Sequence, residues 1–197
     1  SDTDGQGTPE SVTRAQTAAV ANLNDAPTGA VVIAGTWAED QTLRATTGGV
    51  ADADGLGAFS YQWLRNGAVI ATATGSTYTL GDADVGTQIS VQVSYTDGQA
   101  TPESVTSAQT AAVTNVNDMP VGVPTISGTA TEDQTLTADT AGISDADGLG
   151  AFSYQWLRDG VAIGGATAST YALGDADVGT QISVQVSYTD GQATPES

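Results

Sequence analysis

Gln88-Ile89-Ser90-Val91-Gln92-Val93-Ser94-Tyr95 alternates polar and apolar side chains without a break. A period of two is typical of a β-strand with one buried face, and it predicts that the four apolar residues face a common core. The same alternation returns in Ile182 to Tyr188. The chain therefore holds at least two β domains built around the same strand.

A repeat with a fixed period extends outward from this strand. Thr-Asp-Gly-Gln begins at Thr3, at Thr96 and at Thr189, and 96 − 3 = 189 − 96 = 93. Residues 26–104 and 119–197 are identical at 59 of 79 aligned positions. A period of this length suits one small domain per repeat. We therefore divide the chain into the last strand and linker of a preceding repeat (1–25), a complete repeat (26–118) and a repeat that lacks its last strand (119–197).

Short strands with turns between them fill each repeat, and no segment carries a helical stripe. Besides residues 88–95, the predicted strands of the complete repeat are Ala30 to Thr36, Gln41 to Thr46, Phe59 to Arg65, Ala68 to Thr72, Thr77 to Leu80 and Ser104 to Val113. About seven strands in this length is typical of a β-sandwich. The expected fold is therefore all-β, with tandem immunoglobulin-like sandwiches of about seven strands each; a cadherin-like form is what the resemblance of the acidic loops, given below, implies.

The tryptophans divide into two groups. Tyr61-Gln62-Trp63-Leu64-Arg65-Asn66-Gly67 resembles the third strand of immunoglobulin-like domains, in which a tryptophan packs between the sheets. Trp63 and its counterpart Trp156 are therefore expected in the core. Trp37 has Ala130 as its counterpart, so we expect it at the surface.

Composition excludes several classes of protein. The chain of 197 residues has 23 acidic and 4 basic residues, a formal net charge of −19, no histidine and no cysteine. It therefore offers no disulfide, Cys/His zinc site, histidine base or thiolate nucleophile. It also has no lysine, and phosphate binding needs basic residues, so we expect no nucleic-acid partner. No apolar run approaches the roughly 20 residues that cross a bilayer, so we expect no membrane insertion.

Most of the acids recur with the repeat and fall between the strands. Twenty of the 23 recur at the offset of 93; Asp2, Asp139 and Asp159 do not. The candidate metal ligands, taken with linker asparagines, are Glu39, Asp40, Asp52, Asp54, Asp82, Asp84, Asp97, Asn115, Asn117 and Asp118, with the counterparts Asn22, Asn24, Asp25, Glu132, Asp133, Asp145, Asp147, Asp175, Asp177 and Asp190.

End-to-end stacking of the repeats would bring these loops together at the linker 115–118. The exit end of one sandwich carries the loops with Glu39 and Asp82, and the entry end of the next carries those with Asp145 and Asp190. Two carboxylates 5 Å apart repel by roughly 3 kcal/mol at an effective dielectric of about 20, so such a junction needs cations. The available ligands are hard oxygens, which favours Ca²⁺ over zinc or copper.

This ligand set resembles that of cadherins, in which calcium ions between domains are held by four acidic segments. The matching residues are Glu39 in the first loop, Asp82 and Asp84 before the sixth strand, Asn115, Asn117 and Asp118 in the linker, and Asp145 and Asp147 in the next domain. Asn115 stands in place of the first linker aspartate, and the Tyr-Gln-Trp-Leu-Arg strand departs from the cadherin pattern.

Taken whole, a cysteine-free acidic sandwich repeated with high identity resembles the extender repeats of giant bacterial RTX-type adhesins. The glycine-rich nonapeptide of RTX proteins is absent. The resemblance implies type I secretion, an extracellular location at the bacterial cell surface, and a spacer that projects an adhesive region in biofilm or surface attachment. We expect Ca²⁺ to convert freely swinging neighbours into a rod.

Two other functions are compatible with some of the residues. A ligand- or carbohydrate-binding module would use Trp37 or sheet-face tyrosines, and Trp37 alone lies outside the repeat pattern. An enzyme with paired carboxylates, as in glycosidases, would need a cleft, but the acid pairs recur at domain ends. We expect a protein that is not an enzyme.

The positions of the last strand predict self-association. Residues 119–197 stop before the strand that the complete repeat has as Ser104 to Val113, and Ser11 to Val20 carries that strand at the other end. A sandwich without its last strand exposes an unpaired edge. We expect Ser11 to Val20 of one molecule to complete the second domain of another, head to tail, while adjacent repeats of one chain are the other partners.

Overall fold

The structure, a computed structural model, describes residues 2, 3, 9, 10 and 13–197. Its regular elements in these residues are antiparallel strands and two 3-10 turns, Asp82–Asp84 and Asp175–Asp177. The strands are β1 Asp2–Thr3, β2 Pro9–Glu10, β3 Val32–Ala34, β4 Thr42–Thr46, β5 Ser60–Arg65, β6 Ala68–Val69, β7 Thr77–Thr79, β8 Ile89–Thr96, β9 Pro102–Thr106, β10 Thr125–Ser127, β11 Thr135–Asp139, β12 Ser153–Arg158, β13 Val161–Ala162, β14 Thr170–Ala172, β15 Ile182–Thr189 and β16 Pro195–Glu196. The all-β prediction is confirmed.

Residues 26–118, the first unit, form two antiparallel sheets. One has the strand order β3-β4-β7 and the other β6-β5-β8-β9. In the larger sheet Trp63 is opposite Val91 and Tyr61 is opposite Val93. Apolar residues therefore share one face of β5 and β8, as the alternation in the sequence requires.

The core of the first unit lies between these sheets. Leu43 of β4, Trp63 of β5 and Val91 of β8 are all fully buried. The indole Nε1 of Trp63 donates to the Gly75 carbonyl at 2.9 Å, which satisfies the one polar atom of this side chain. The core positions predicted for Trp63 and Trp156 are confirmed, and Trp37 is 40% exposed, as predicted. The arrangement is consistent with a β-sandwich.

Residues 119–197, the second unit, contain the same strands in the same order. Their sheets are β10-β11-β14 and β13-β12-β15-β16. A smaller buried cluster forms around Leu136, Trp156 and Leu173. Ile182 and Val184 are only partly buried, whereas their counterparts Ile89 and Val91 are fully enclosed.

The segment after β9 explains this difference. The predicted strand Ser104 to Val113 is regular only as far as Thr106. Beyond it the Ser107 and Thr110 hydroxyls accept the N–H groups of Val91 and Ile89, each at 3.0 Å, so side chains replace carbonyls in the ladder. Further along, Val113 forms a parallel bridge with Val85, which follows the 3-10 turn Asp82–Asp84, and Val113 is 3% exposed.

The predicted strand Ser11 to Val20 falls partly outside the described residues, because Ser11 and Val12 are not among them. Residues 13–20 are in no strand and are exposed. Across the described part of the chain, no helix has the length and apolar character needed to traverse a membrane.

Candidate metal centre

The loop between β3 and β4 positions Glu39 at the end of the first unit. Asp40 has a left-handed backbone, with φ of 61°, which turns the chain sharply after Glu39. The Glu39 N–H donates to the Thr114 carbonyl at 2.9 Å, and the Asp40 N–H donates to Leu80 at 3.1 Å. This loop is therefore fixed to the chain that leads out of the unit, and the Glu39 side chain is fully buried.

The 3-10 turn Asp82–Asp84 supplies the next carboxylate and is held by an ion pair. Arg65 Nε lies 2.7 Å from Asp84 Oδ1, and Asp84 Oδ2 accepts from the Tyr78 hydroxyl at 2.8 Å and the Gly81 N–H at 3.0 Å. Both carboxylate oxygens of Asp84 are thus bonded within the first unit. Asp82, in contrast, is exposed, and its carboxylate lies near that of Glu39. Arg158, Tyr171 and Asp177 repeat this arrangement, and the burial of Asp177 is outweighed by bonds from Gly174 and Arg158, which lower its pKa.

The linker 115–118, which we call the junction, contacts both units. The Val116 N–H donates to Glu39 Oε2 at 3.4 Å, on the side of the first unit. On the other side, the Asp118 N–H donates to Asp147 Oδ2 at 2.8 Å and the Asn117 amide donates to Glu196 Oε1 at 2.9 Å. The junction is therefore held between acids of two different units.

The second unit presents its acids from two loops. Asp147 N–H donates to Asp145 Oδ1 at 2.9 Å, and the Tyr188 hydroxyl donates to the other oxygen of Asp145. Asp190 Oδ1 accepts the N–H groups of Gln192 and Thr194, a local turn that orients this carboxylate. Asp147 and Asp190 are both buried.

Three carboxylates from these elements converge on one point. Glu39, Asp82 and Asp118, which we call the acidic cluster, each place a ligand oxygen within 4.8 Å of the others. At this separation two charges repel by about 3 kcal/mol for an effective dielectric of about 20. In the described residues the ion pairs are Arg65 with Asp84 and Arg158 with Asp177, so neither arginine is paired with the cluster.

Several buried oxygens have no hydrogen-bond partner. Three belong to residues in or bonded to the junction, namely Glu39 Oε1, Asn115 Oδ1 and Asp147 Oδ1, and two others, Asp97 Oδ2 and Asp190 Oδ2, lie in the turns after β8 and β15. Buried acceptors are almost always satisfied, because an unpaired one costs about 1 to 3 kcal/mol. Glu39 and Asn115 belong to the first unit and Asp147 to the second, so the unmet acceptors lie on both sides of the junction.

Two carboxyl groups of the acidic cluster, those of Glu39 and Asp118, have raised pKa values. Burial, followed by the hydrogen bond with Asp82, raises the pKa of Glu39 to about 7. Burial and the charge of Asp147 also raise the pKa of Asp118. The site therefore favours either protons or a cation over free carboxylates.

An all-oxygen donor set of this kind fits a hard divalent cation. Carboxylates, an asparagine carbonyl and backbone carbonyls are the ligands that Ca²⁺ prefers, and the set contains no sulfur or imidazole. The residues that could hold the ion are Glu39, Asp82, Asn115, Asp118 and Asp147.

Other predicted site residues lie elsewhere. Asp84 and Asp177 are in ion pairs, and Asp52 accepts from the Tyr95 hydroxyl as Asp145 does from Tyr188. Asn24 and Asp25 contact Glu103 and Asp54 at the opposite end of the first unit, in the way that Asn117 and Asp118 contact the second. Glu132, Asp133 and Asp175 lie at the far end of the second unit and are exposed.

Sequence reasoning missed two kinds of residue. Glu103 and Glu196 are recurring acids outside the predicted site, although each accepts a hydrogen bond from a linker asparagine. Arg65 and Tyr78, which fix the 3-10 turn, are predicted from the sequence only as strand residues. Their recurrence as Arg158 and Tyr171 was the available signal.

Comparison with known proteins gives no assignment: no family model matches the chain, and no curated protein matches it either.

Proposed function

We propose that this chain is a calcium-rigidified spacer, in which immunoglobulin-like or cadherin-like repeats are joined by metal sites at their junctions. The acidic cluster carries the proposal, because its carboxylates come from the body of one unit and from the linker to the next. A cation there would connect elements that are otherwise held together by a few hydrogen bonds.

The chemistry of the cluster supports a role for the ion in stiffness. Without a cation, the repulsion among Glu39, Asp82 and Asp118 opposes docking of the junction on the first unit, and so loosens the position of the second unit that follows it. With a cation, the same oxygens and the unmet acceptors of Asn115 and Asp147 would share one centre. Extracellular modules commonly bind calcium at about 10⁻⁴ to 10⁻³ M, which matches a site filled outside a cell and empty within.

The cellular location and the role of the chain are proposed from this metal site together with the resemblance to adhesin extender repeats. A stiff, acidic, cysteine-free array suits a large bacterial surface adhesin, secreted and extracellular, in which such units hold a distal adhesive region away from the cell. Spacing, not catalysis, is then the function of the chain.

A matched pair of variants tests the metal site. Calorimetric titration of calcium into dilute chain should show binding that Glu39→Gln weakens by about tenfold or more, because a buried charged ligand is lost. Glu132→Gln, the same change at the repeat position that no linker covers, should leave the binding unchanged. Equal effects of the two changes, or no calcium binding by the unaltered chain, would contradict the proposal.

A further inference from the structure

The hydroxyl of Tyr188 lies at the end of the second unit that contacts the junction. The Tyr188 ring is buried and packs edge-on against Phe152, with ring centroids 5.4 Å apart and an interplanar angle of 78°. Its hydroxyl donates to one oxygen of Asp145, Oδ2. Because packing fixes the ring, the hydroxyl holds the Asp145 carboxylate in one orientation.

Asp145 in turn fixes the backbone of Asp147. The Asp147 N–H donates to Asp145 Oδ1 at 2.9 Å, and the Asp147 carbonyl accepts the Gly191 N–H at 3.0 Å. A Cβ atom at residue 191 would lie 2.5 Å from this carbonyl oxygen, so the close approach requires glycine. Asp147 is therefore held through both its N–H and its carbonyl group.

The two carboxylates are left in different states by these contacts. Both oxygens of Asp145 are occupied within the second unit, by the Tyr188 hydroxyl and by the Asp147 N–H. Asp147 Oδ2 accepts the N–H of Asp118 in the junction at 2.8 Å, and Asp147 Oδ1 is buried without a partner. The charge of Asp147 also contributes to the raised pKa of Glu39, so this carboxylate lies near the acidic cluster.

The first unit repeats the same chain of contacts. The Tyr95 hydroxyl donates to Asp52 Oδ2, and Asp52 Oδ1 accepts the Asp54 N–H at 2.9 Å. Asp54 Oδ2 then accepts the N–H of the linker residue Asp25 at 2.8 Å. The arrangement of a tyrosine, two aspartates and a linker amide is therefore a property of the repeat.

We propose that Tyr188 is a positioning residue of the junction, which acts through Asp145 to direct the unpartnered oxygen of Asp147 toward the bound cation. This inference rests on the proposed metal site and assigns different roles to its two neighbouring aspartates. Asp147 is a ligand, whereas Asp145 orients it and does not bind the ion. Groups that orient metal ligands in this way typically change metal affinity by about 10- to 100-fold when they are removed.

Amide hydrogen exchange in chelator tests the positioning without any metal. Tyr188→Phe removes the hydroxyl and keeps the packed ring. We expect the exchange rate of the Asp118 amide to rise by about threefold or more, because its acceptor Asp147 is less firmly held. The Val116 amide, which donates to Glu39 of the first unit, should keep its rate.

Tyr95→Phe is the matched control, because it removes the same hydroxyl from the first unit. It should raise the exchange rate of the Asp25 amide, whose acceptor Asp54 depends on Tyr95, and leave that of Asp118 unchanged. The comparison separates an effect on the junction from a general loss of stability.

Calorimetric titration of calcium into the same variants tests the role at the metal site. Tyr188→Phe should weaken the binding event that Glu39→Gln weakens, by about tenfold, and Tyr95→Phe should leave it unchanged. Asp145→Asn keeps an oxygen for the Asp147 N–H and an amide that can donate to the tyrosine oxygen, so it should weaken binding by about threefold at most. Asp147→Asn, which removes a charged ligand, should weaken it by about tenfold.

Three results would overturn the inference. One is an Asp118 exchange rate that Tyr188→Phe leaves unchanged or that Tyr95→Phe raises equally. Another is a calcium affinity that Tyr188→Phe does not lower. The third is an Asp145→Asn chain that loses as much affinity as Asp147→Asn, since Asp145 would then be a ligand. A chain that binds no calcium contradicts the proposed function instead, and the exchange rates in chelator then decide whether Tyr188 positions Asp147.

Discussion

At the scale of single residues, Glu39 and Glu132 show how one position acquires different properties. Glu39 is fully buried beneath the junction, whereas Glu132, in the same loop of the second unit, is exposed. Burial raises the pKa of Glu39 to about 7, and the pKa of Glu132 is raised first by its hydrogen bond with Asp175. The difference in burial comes from the linker that covers one and not the other.

The raised pKa of Glu39 predicts an unusual pH dependence in chelator. Between about pH 7 and its unfolded value of 4.5, Glu39 is protonated in the folded chain and charged in the unfolded one. The folded state therefore binds more protons, and the free energy of unfolding should rise as the pH falls from 8 to 5.5. Urea denaturation at these two values measures the change.

The control for this prediction is Glu39→Gln, which should make the rise smaller. Saturating calcium should also reduce it, because the bound cation competes with the proton for the same oxygens. A rise that is undiminished in Glu39→Gln, or stability that falls over this range, would show that Glu39 is not the group responsible.

At the scale of elements, the sequence allowed the strands to be predicted better than their ends. The alternation of polar and apolar residues predicts β8, and the sequence around Trp63 predicts β5. Both predictions succeed because the alternation of side chains along a strand is set by the local sequence. The prediction for β6 ran to Thr72, but β6 ends at Val69, because the chain turns there: the Ala73 N–H donates to the Ile70 carbonyl, which also accepts from the Gln62 amide. Residues 68–72 contain no glycine, proline or asparagine that would mark this turn.

The candidate site, like the strands, could be predicted only in part from the sequence. Recurrence of the acids indicated the loops, and strand order indicated which loops share an end of the sandwich. The roles of neighbouring acids could not be predicted, because Asp82 and Asp84 differ only in which one faces Arg65. Tertiary packing alone assigns one to an ion pair and leaves the other beside Glu39.

The 3-10 turn supplies a prediction at this scale. Arg65→Met should lower the free energy of unfolding by about 2 kcal/mol, because Asp84 is 1% exposed and would lose its ion-pair partner. It should also weaken calcium binding, since the turn that carries Asp82 is no longer held.

Arg44→Met is the matched control, because Arg44 is exposed on β4. Thermal or urea denaturation gives the stability, and calorimetry gives the calcium affinity. If both arginine variants unfold alike, the ion pair does not stabilise the turn.

At the scale of the whole molecule, charge and repetition act together. A net charge of −19 is spread over loops that recur in both units, and on the proposed function bound cations would offset the repulsion among these loops. At the junction, the carboxylates of Glu39, Asp82 and Asp118 lie together, and the Asp118 N–H donates to Asp147 of the second unit. Rigidity of the chain would then depend on occupancy of this single centre.

Small-angle scattering of the chain at low concentration, in calcium and in chelator, tests this claim most directly. We predict a longer maximum dimension and a narrower distribution of interatomic distances in calcium, and no such change in the same chain carrying Glu39→Gln. Identical scattering profiles in calcium and in chelator would contradict the account.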